Sequence, residues 1–210
     1  MMRGRFITLE GGEGAGKSTQ AALLADALRA RGLSVLLTRE PGGTPGAEAI
    51  RGLLLDPAQS WGPRAEALLF AAARADHVAQ ALEPALASGQ WVVCDRFLDS
   101  SRAYQGGAGG LADEDICTLH RIGSGGLLPD LTLLVEIGAE TAAERLQRRD
   151  GEGGDRIGGR DSAYHAEVAA SFARLAAAEP GRFARIAGEG SPDAIHQRIM
   201  QAVERLLARA

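Results

Sequence analysis

The sequence contains few cysteines and few aromatic residues. It has two cysteines, Cys94 and Cys117, and aromatic side chains make up 4% of its 210 residues. Two cysteines so far apart provide neither a disulfide framework nor the ligand spacing of a metal site. Cys94 ends an apolar run and is expected to be a small buried side chain rather than a reactive thiol. A disulfide-stapled secreted protein is therefore not indicated, and a reducing cytoplasm is the expected location.

The sequence also lacks a basic excess and any long apolar run. It carries 23 Lys and Arg against 27 Asp and Glu, a formal net charge of −4. Proteins that bind nucleic acid usually cluster basic residues in excess, so no nucleic-acid partner is expected. No apolar run approaches the roughly 20 residues of a membrane-spanning helix. The first apolar strand follows the start almost directly, which leaves no room for a signal peptide, and no membrane association is expected.

Glycine, in contrast, is abundant, and an ordered group of glycines lies near the start. The residues Gly11-Gly12-Glu13-Gly14-Ala15-Gly16-Lys17-Ser18, with Thr19 directly behind them, fit the pattern G-x-x-x-x-G-K-[ST]. They follow the apolar run Phe6-Ile7-Thr8-Leu9 and precede a helical pattern. A glycine-rich turn that merely contains a lysine is the alternative, but eight residues matching in this context disfavour it. The sequence predicts a phosphate-binding loop.

The residue types in this loop indicate its chemistry. Glycines let successive backbone N–H groups converge on anionic oxygens at the positive end of the next helix. Lys17 is expected to reach the β- and γ-phosphates, and the Ser18 hydroxyl to take a place on Mg²⁺. Asp95, which follows a strand-like apolar run, is expected to hold the same ion directly or through water, the alternative being a turn-forming aspartate. Arg96 beside it is suited to neutralise phosphate charge.

Apolar runs alternate with helical patterns along the whole chain. Strands are predicted at residues 3–10, 33–37, 91–94, 131–135 and 183–186. Helices are predicted at 16–31, 44–55, 63–89 with an interruption at Pro84, 111–122, 139–149, 162–178 and 192–207, and a loop from Arg96 to Gly110. This alternation predicts one α/β domain over residues 1–210, with a five-stranded parallel sheet in a three-layer α/β/α arrangement.

A glycine-rich segment at residues 150–155 cannot hold a regular helix and has arginines on both sides. These arginines are Arg145, Arg148, Arg149 and Arg156. A solvated helix face is the alternative for such a charge cluster. Its position beside a glycine hinge instead favours a flexible lid, about residues 145–160, that closes over a reaction centre and brings cationic groups to phosphoryl oxygens.

Phe70 and Arg74 lie one helical turn apart and therefore share a helix face. An aromatic ring beside a guanidinium suits a planar base with carbonyl acceptors, although a core position for Phe70 is an equal alternative. The histidines share no spacing that indicates a metal site or a general base and are assigned as surface or helix residues: His77, His120, His165 and His196.

Several segments together resemble the bacterial thymidylate kinase family, a family of P-loop NTPase fold. They are the loop preceded by residues 6–10, the run Thr38-Arg39-Glu40-Pro41-Gly42-Gly43-Thr44, Asp95-Arg96-Phe97 with Asp99-Ser100-Ser101, and Ala103-Tyr104-Gln105-Gly106-Gly107. The similarity continues through Pro129-Asp130-Leu131-Thr132-Leu133 to the lid. The loop alone indicates only a superfamily, whereas the later segments are far more specific.

The resemblance implies transfer of the γ-phosphoryl group of ATP to dTMP, which gives dTDP and ADP, with Mg²⁺ and in a homodimer. It also implies roles for site residues. Phe70 stacks on thymine, and Arg74 binds the carbonyl edge of the base. Arg96 binds the acceptor phosphate with help from Arg39 or Arg51. The resemblance places Ser101, Tyr104 and Gln105 around the base and the sugar, and Glu13 on the side of the sugar 3′-hydroxyl. Tyr104 is also expected to exclude ribonucleotides.

One position departs from part of the family. Gly14 stands where some members carry a catalytic basic residue, so Arg149, and next Arg148, are expected to reach the transferring phosphoryl group. Three other functions are alternatives to a thymidylate kinase. The first is a kinase of dUMP, dGMP or dCMP, and the second is a slow nucleotide-hydrolysing switch, although the N-K-x-D motif usual in such switches is absent. The third is a binding module with a degenerate site. The alanine-rich face of the helix at residues 66–87 is a weak indication of close packing against a second subunit.

Overall fold

The computed structural model describes residues 3–150 and 157–208, without the side chains of residues 148–150. Its sheet consists of β1 (Phe6–Glu10), β2 (Val35–Arg39), β3 (Trp91–Asp95), β4 (Leu131–Glu136) and β5 (Phe183–Ala187). The strands are parallel, in the order β2-β3-β1-β4-β5. Every residue of β1 is buried, because helices cover both faces of a central parallel strand. The predicted five-stranded parallel sheet is confirmed.

The helices follow the strands in alternation. They are α1 (Lys17–Ala30), α2 (Pro45–Leu55), α3 (Pro63–His77), α4 (Glu83–Ala87), α5 (Leu98–Ser101), α6 (Asp113–Ser124), α7 (Ala139–Asp150), α8 (Ser162–Ala178) and α9 (Pro192–Leu207). Two π-helical segments extend this set, Val78–Leu82 between α3 and α4 and Arg102–Gly107 after α5. None of the helices formed by these described residues combines the length and the apolar character that crossing a membrane requires.

The helices form two layers with the sheet between them. Successive strand residues point to opposite faces of a sheet. Ile7 and Leu9 of β1 pack in one core cluster with Leu24 of α1 and Ile199 of α9. On the other face, Phe6 packs in a second cluster with residues of α3 through α6, and α8 contributes to a third. The three-layer α/β/α arrangement is therefore confirmed.

The segment between Arg96 and Gly110 is largely helical, and the prediction of a loop there was wrong. Helix α5 and the π-helical segment together cover residues 98–107. The cause is a cap that comes from elsewhere in the chain. The Glu10 carboxylate accepts hydrogen bonds from the backbone N–H groups of Phe97 and Ser100, at 2.8 and 3.2 Å. A capping group far away in sequence leaves no local start signal.

The interruption predicted at Pro84 is confirmed. The long helical pattern changes from α-helix to π-helix at Val78 and returns to α-helix at Glu83, with Pro84 in the first turn of α4. Proline has no N–H to donate and its ring crowds the preceding turn, so a change of hydrogen-bond register relieves both constraints.

All four histidines lie in helices, and two of them are fully enclosed. His77 is 0% and His120 3% exposed. The Nδ1 atom of His77 lies 3.0 Å from Glu40 Oε1, and its Nε2 lies 2.8 Å from Thr38 Oγ1. Burial, together with the charge of Arg74, lowers the pKa of His120 to about 4, so this imidazole is neutral at physiological pH.

Candidate active site

A cavity of about 430 Å³ opens at the carboxyl ends of the strands. Ligands of open α/β sheets bind at this edge. Most residues singled out in the sequence line the cavity: Glu13, Gly14, Gly16, Lys17, Ser18, Thr19, Arg39, Arg51, Phe70, Asp95, Arg96, Tyr104 and Gln105. Segments separated by more than 80 residues therefore meet in one place.

The phosphate loop joins the end of β1 to the start of α1. Three of its glycines have positive φ, and at two of them a Cβ would also collide with neighbouring backbone. Gly11 has φ of 139°, and a Cβ there would collide with the carbonyl oxygen of Val135. Gly14 has φ of 72°, and its Cβ would press on the backbone of Ala142 in α7. The loop is thus held between β4 and α7 with its backbone close to both.

Lys17 is the first residue of α1 and is 6% exposed. Its Nζ donates a hydrogen bond to the carbonyl oxygen of Gly12 at 2.7 Å, inside the loop. Burial, and next the positive charge of Arg96, lower the pKa of Lys17 to about 8. Phosphate oxygens are suited to this ammonium group because they would stabilise its charged form.

Ser18 and Asp95 meet at the foot of the loop. The Ser18 hydroxyl donates a short hydrogen bond to Asp95 Oδ2. The other carboxylate oxygen of Asp95, Oδ1, is buried and accepts no hydrogen bond from the described residues. A hydroxyl beside a buried carboxylate oxygen without a partner is a hard oxygen donor set and fits Mg²⁺.

The described residues contain no cluster of three or more His, Cys, Asp and Glu side chains that could hold a metal ion. Mg²⁺ needs no such cluster, because this ion keeps several waters and is bound through one or two carboxylates plus substrate phosphates.

Arg96, Glu13 and Tyr104 form a contact group beside the loop. Arg96 Nη2 donates a short hydrogen bond to Glu13 Oε1, and the Tyr104 hydroxyl donates to the same oxygen at 3.0 Å. The Arg96 guanidinium lies over the Tyr104 ring, 5.0 Å from its centroid. Burial raises the pKa of Tyr104 above its usual range, so the phenol stays protonated as a hydrogen-bond donor. The group places a cation next to the phosphate loop.

Arg39, Arg51 and Phe70 line the part of the cavity contributed by β2, α2 and α3. Arg39 Nη2 donates to Glu48 Oε1 at 3.1 Å, and Arg51 Nη1 donates to the carbonyl oxygen of Pro41 at 2.7 Å. Two further guanidinium groups and one aromatic ring therefore share the cavity with Arg96.

Arg74 and Ser101 lie behind this wall and are absent from the described lining. Arg74 is 3% exposed, and its Nε donates to Glu40 Oε2 at 2.7 Å. Its Nη2 donates to Ser101 Oγ at 2.8 Å and to the carbonyl oxygen of Phe97 at 3.2 Å. The structure brings these two predicted residues into contact with each other and engages Arg74 in a buried network.

The cavity also has lining residues that the sequence did not single out as site residues: Glu40, Pro41, Leu55, Ser100, Leu146 and Ile157. Glu40, Pro41 and Ser100 belong to segments already quoted for the resemblance, so a signal for them existed. Arg145, the first arginine of the predicted lid cluster, also lines the cavity and donates to the carbonyl oxygens of Gly14 and Gly188 at 3.4 and 3.1 Å.

The remaining lid residues cannot be placed in this site. The side chains of Arg148 and Arg149, and all of Arg156, lie outside the described residues. Their roles stay predictions.

A phosphate loop after the central strand, with an aspartate at the end of the neighbouring strand, defines a P-loop nucleotide-binding protein. The model of the family described as Thymidylate kinase matches residues 9–199. The chain belongs to the thymidylate kinase family.

Individual relatives agree with this assignment. The thymidylate kinase of Rhizorhabdus wittichii is 61% identical over 207 residues, which are 98% of this chain and 100% of the relative. The thymidylate kinase of Bradyrhizobium sp. is 47% identical over 99% of this chain and 93% of its own length. The crystal structure of thymidylate kinase from Ehrlichia chaffeensis superposes with a TM-score of 0.78 at 30% identity, covering 96% of this chain and 99% of that one.

Proposed function

We propose that this protein transfers the γ-phosphoryl group of ATP to dTMP, giving dTDP and ADP for dTTP synthesis. One observation carries the proposal. A single cavity holds the phosphate-loop ammonium of Lys17 and a second cationic group, Arg96, with the Phe70 ring among its lining. A phosphoryl donor and a phosphorylated base can therefore meet between the two cations. Family membership supplies the identity of the base.

In this proposal the donor half of the site is the loop at residues 11–19. Its backbone N–H groups and Lys17 hold the triphosphate of ATP. Ser18 and Asp95 are the residues that fit Mg²⁺. When bound there, Mg²⁺ neutralises charge on the β- and γ-phosphate oxygens.

The acceptor half places dTMP against β2, α2, α3 and the segment after β3. Phe70 stacks on thymine, and Gln105 and Tyr104 enclose base and sugar. Arg96 holds the acceptor phosphate together with Arg39 or Arg51. Glu13 accepts from the sugar 3′-hydroxyl once Arg96 Nη2 exchanges Glu13 for the acceptor phosphate. Arg96 Nη1 meanwhile keeps its contacts with Gly11 and Ser100. Arg74 and Ser101 contact each other behind the cavity wall, and their direct contact with the base, which the resemblance implies, stays a prediction.

The reaction forms a bond between an acceptor phosphate oxygen and the γ-phosphorus and breaks the bond to the bridging oxygen of ADP. The protein has little covalent chemistry to perform, so catalysis rests on alignment and charge neutralisation. Lys17 and Arg96 supply fixed positive charge on the two sides of the transferring group. We propose that Arg149, and next Arg148, add charge from the lid.

An acceptor screen tests this function. ADP production at fixed ATP is measured in a coupled assay with dTMP, dUMP, dGMP and dCMP in turn, with a Lys17→Ala preparation as the control for contaminating kinases. We expect the highest kcat/KM for dTMP, with dUMP lower by roughly 10- to 200-fold, since one methyl group in an apolar pocket is worth that much. Preference for another acceptor contradicts the proposal. ADP release that does not depend on acceptor indicates a hydrolysing switch instead.

We also propose a cytoplasmic homodimer. Ala75 of α3 faces α6, since a Cβ placed on Gly123 would lie 3.2 Å from its Cβ. In contrast, Ala72 and Ala79 are exposed. The close packing of the alanine-rich face against a second subunit stays a prediction. Helices α3 and α6 also leave larger apolar side chains exposed, with Leu68 55% and Ile122 77% accessible. Analytical ultracentrifugation measures the oligomeric state, and a monomer at micromolar concentration contradicts the proposed homodimer.

A further inference from the structure

Glu10 is a buried carboxylate for which the proposed mechanism has no use. It is the last residue of β1, with 0% exposure. Within the part of the chain that the structure describes, it accepts three hydrogen bonds, and these come from the segment that follows β3. The donors are the backbone N–H groups of Phe97 and Ser100, at 2.8 and 3.2 Å, and the Ser100 hydroxyl, at 2.6 Å. Glu10 therefore holds the turn that contains Arg96.

The backbone of Arg96 is strained. Its φ is 71°, and it is the one non-glycine residue with positive φ among the residues described. Such a conformation costs free energy and persists only where the surroundings enforce it. The Arg96 N–H donates to the carbonyl oxygen of Leu9 at 3.0 Å, and the next peptide N–H, that of Phe97, donates to Glu10. Two successive residues of β1 thus fix the peptide groups on either side of Arg96.

A second path leads from Glu10 to the guanidinium itself. The Ser100 hydroxyl donates to Glu10 Oε2 and accepts from Arg96 Nη1 at 3.2 Å. The same Nη1 donates to the carbonyl oxygen of Gly11 at 3.2 Å, the residue after Glu10. The end of β1 therefore sets both the backbone and the side-chain direction of Arg96.

We propose that Glu10 is a positioning residue for phosphate recognition, which holds the strained Arg96 turn and, through Ser100, aims the Arg96 guanidinium at the phosphate of the acceptor nucleotide. The inference rests on the proposed function in one respect, the assignment of Arg96 to the acceptor phosphate. Glu10 does not touch substrate in this account and acts only through Arg96.

The competing account is that Glu10 only caps α5 and stabilises the fold. The two explanations predict different changes in the affinity of a variant for ligands with and without phosphate. Thymidine has the base and sugar of dTMP but lacks the phosphate. Mispositioning of Arg96 weakens dTMP binding and leaves thymidine binding unchanged, whereas general loosening of the site weakens both ligands alike.

Two variants and one matched control make the test. Glu10→Gln keeps an oxygen for the two backbone N–H groups but places an NH₂ donor where Oε2 accepts the Ser100 hydroxyl. Ser100→Ala removes only the bridge to Arg96. The control is Asp130→Asn, because Asp130 Oδ2 accepts the N–H of Phe6, at the opposite end of β1. Dissociation constants for dTMP and thymidine are measured by titration calorimetry on folded protein at pH 8.5, above the pKa of about 8 of Glu10.

We expect the dTMP dissociation constant to rise about tenfold in both variants, the loss expected when one charge-assisted hydrogen bond is weakened. Thymidine affinity should stay within about twofold, and Asp130→Asn should change neither. The inference is overturned if the ratio of the dTMP and thymidine dissociation constants in the variants equals that of wild type, whether both constants stay the same or rise equally. If Glu10→Gln does not fold, Ser100→Ala decides alone. A wild-type protein that binds dTMP no more tightly than thymidine contradicts the proposed function itself, before any variant is compared.

Discussion

Lys17 and Arg96 bring two cationic side chains into one small cavity. Burial, and after it the repulsion between these two cations, lowers the pKa of Lys17 to about 8. Arg96 is partly compensated by Glu13, whereas Lys17 bonds only a neutral carbonyl among the contacts described. At the scale of single residues, the site is therefore prepared for anionic groups, and phosphate binding removes an unfavourable charge arrangement.

Replacing Lys17 tests this arrangement. We expect Lys17→Ala to lower kcat for dTMP phosphorylation by about 10³-fold or more, because one charge on the transferring group is lost. The fold should be retained, since the lysine donates one described hydrogen bond and its buried charge is costly. Steady-state rates and calorimetric melting of the purified variant check both parts. A variant that keeps a tenth of the wild-type rate would remove Lys17 from the mechanism.

Glu10 gives a prediction for pH. Burial, followed by the charge of Asp99, raises the pKa of Glu10 from 4.5 to about 8. Between these values the folded protein binds more protons than the unfolded chain, so stability falls as pH rises from about 5 to about 8. Glu10→Gln cannot titrate. We expect the free energy of unfolding of wild type, minus that of Glu10→Gln, to decrease over this interval in urea titrations. A constant difference would show that Glu10 does not carry the shift.

The residues that could be predicted from the sequence are those whose signal is local. Lys17 and Ser18 belong to one contiguous motif, and Asp95 directly follows an apolar strand. The contacts among Glu40, Arg74 and Ser101 could not be predicted from the sequence, because the three residues come from segments joined only by tertiary packing. A residue's type and neighbours predict what it can do, whereas its partners depend on the fold.

At the scale of elements, strands were predicted more reliably than the segment that completes the acceptor side. The interior strands are continuous apolar runs, since helices cover both faces of the sheet. Residues 98–107, in contrast, become helical under a cap supplied by Glu10. A helix whose start signal lies in another strand has no local signature.

Asp99 connects the same segment to the edge of the sheet formed by β4 and β5. Its carboxylate, 1% exposed, receives two hydrogen bonds from Arg182, at 2.6 and 2.7 Å. Arg182 precedes β5 and also donates to Thr132 of β4 at 2.8 Å. The pair therefore joins α5 to two strands.

We expect Asp99→Ala to lower the free energy of unfolding by about 1.5–3 kcal/mol, because Arg182 loses two charge-assisted hydrogen bonds in a buried setting and keeps only its ion pair with Glu179 among the contacts described. Urea titration measures the change. Glu136→Ala, which breaks the exposed pair with Arg185, is the control and should have little effect. Equal losses in both variants would contradict the role given to Asp99.

At the scale of the whole molecule, the parallel sheet brings the functional segments together. The carboxyl ends of β1, β2 and β3 lie side by side in the order β2-β3-β1. The phosphate loop follows β1, Arg39 is the last residue of β2, and Asp95 is the last residue of β3, with Arg96 directly behind it. Strand–helix alternation was enough to predict this edge as the site. The shape of the cavity was not predictable, because α2, α3 and the residues near Ile157 enclose it through contacts between distant segments.

The most direct test of the account is a crystal structure of the protein with a bisubstrate mimic, in which thymidine is joined to adenosine through a chain of phosphates. The account predicts the pyrimidine stacked on Phe70, the thymidine-side phosphate at Arg96, and the adenosine-side phosphates on the loop over Lys17. A pyrimidine bound away from Phe70, or a phosphate chain that bypasses Lys17, would contradict it.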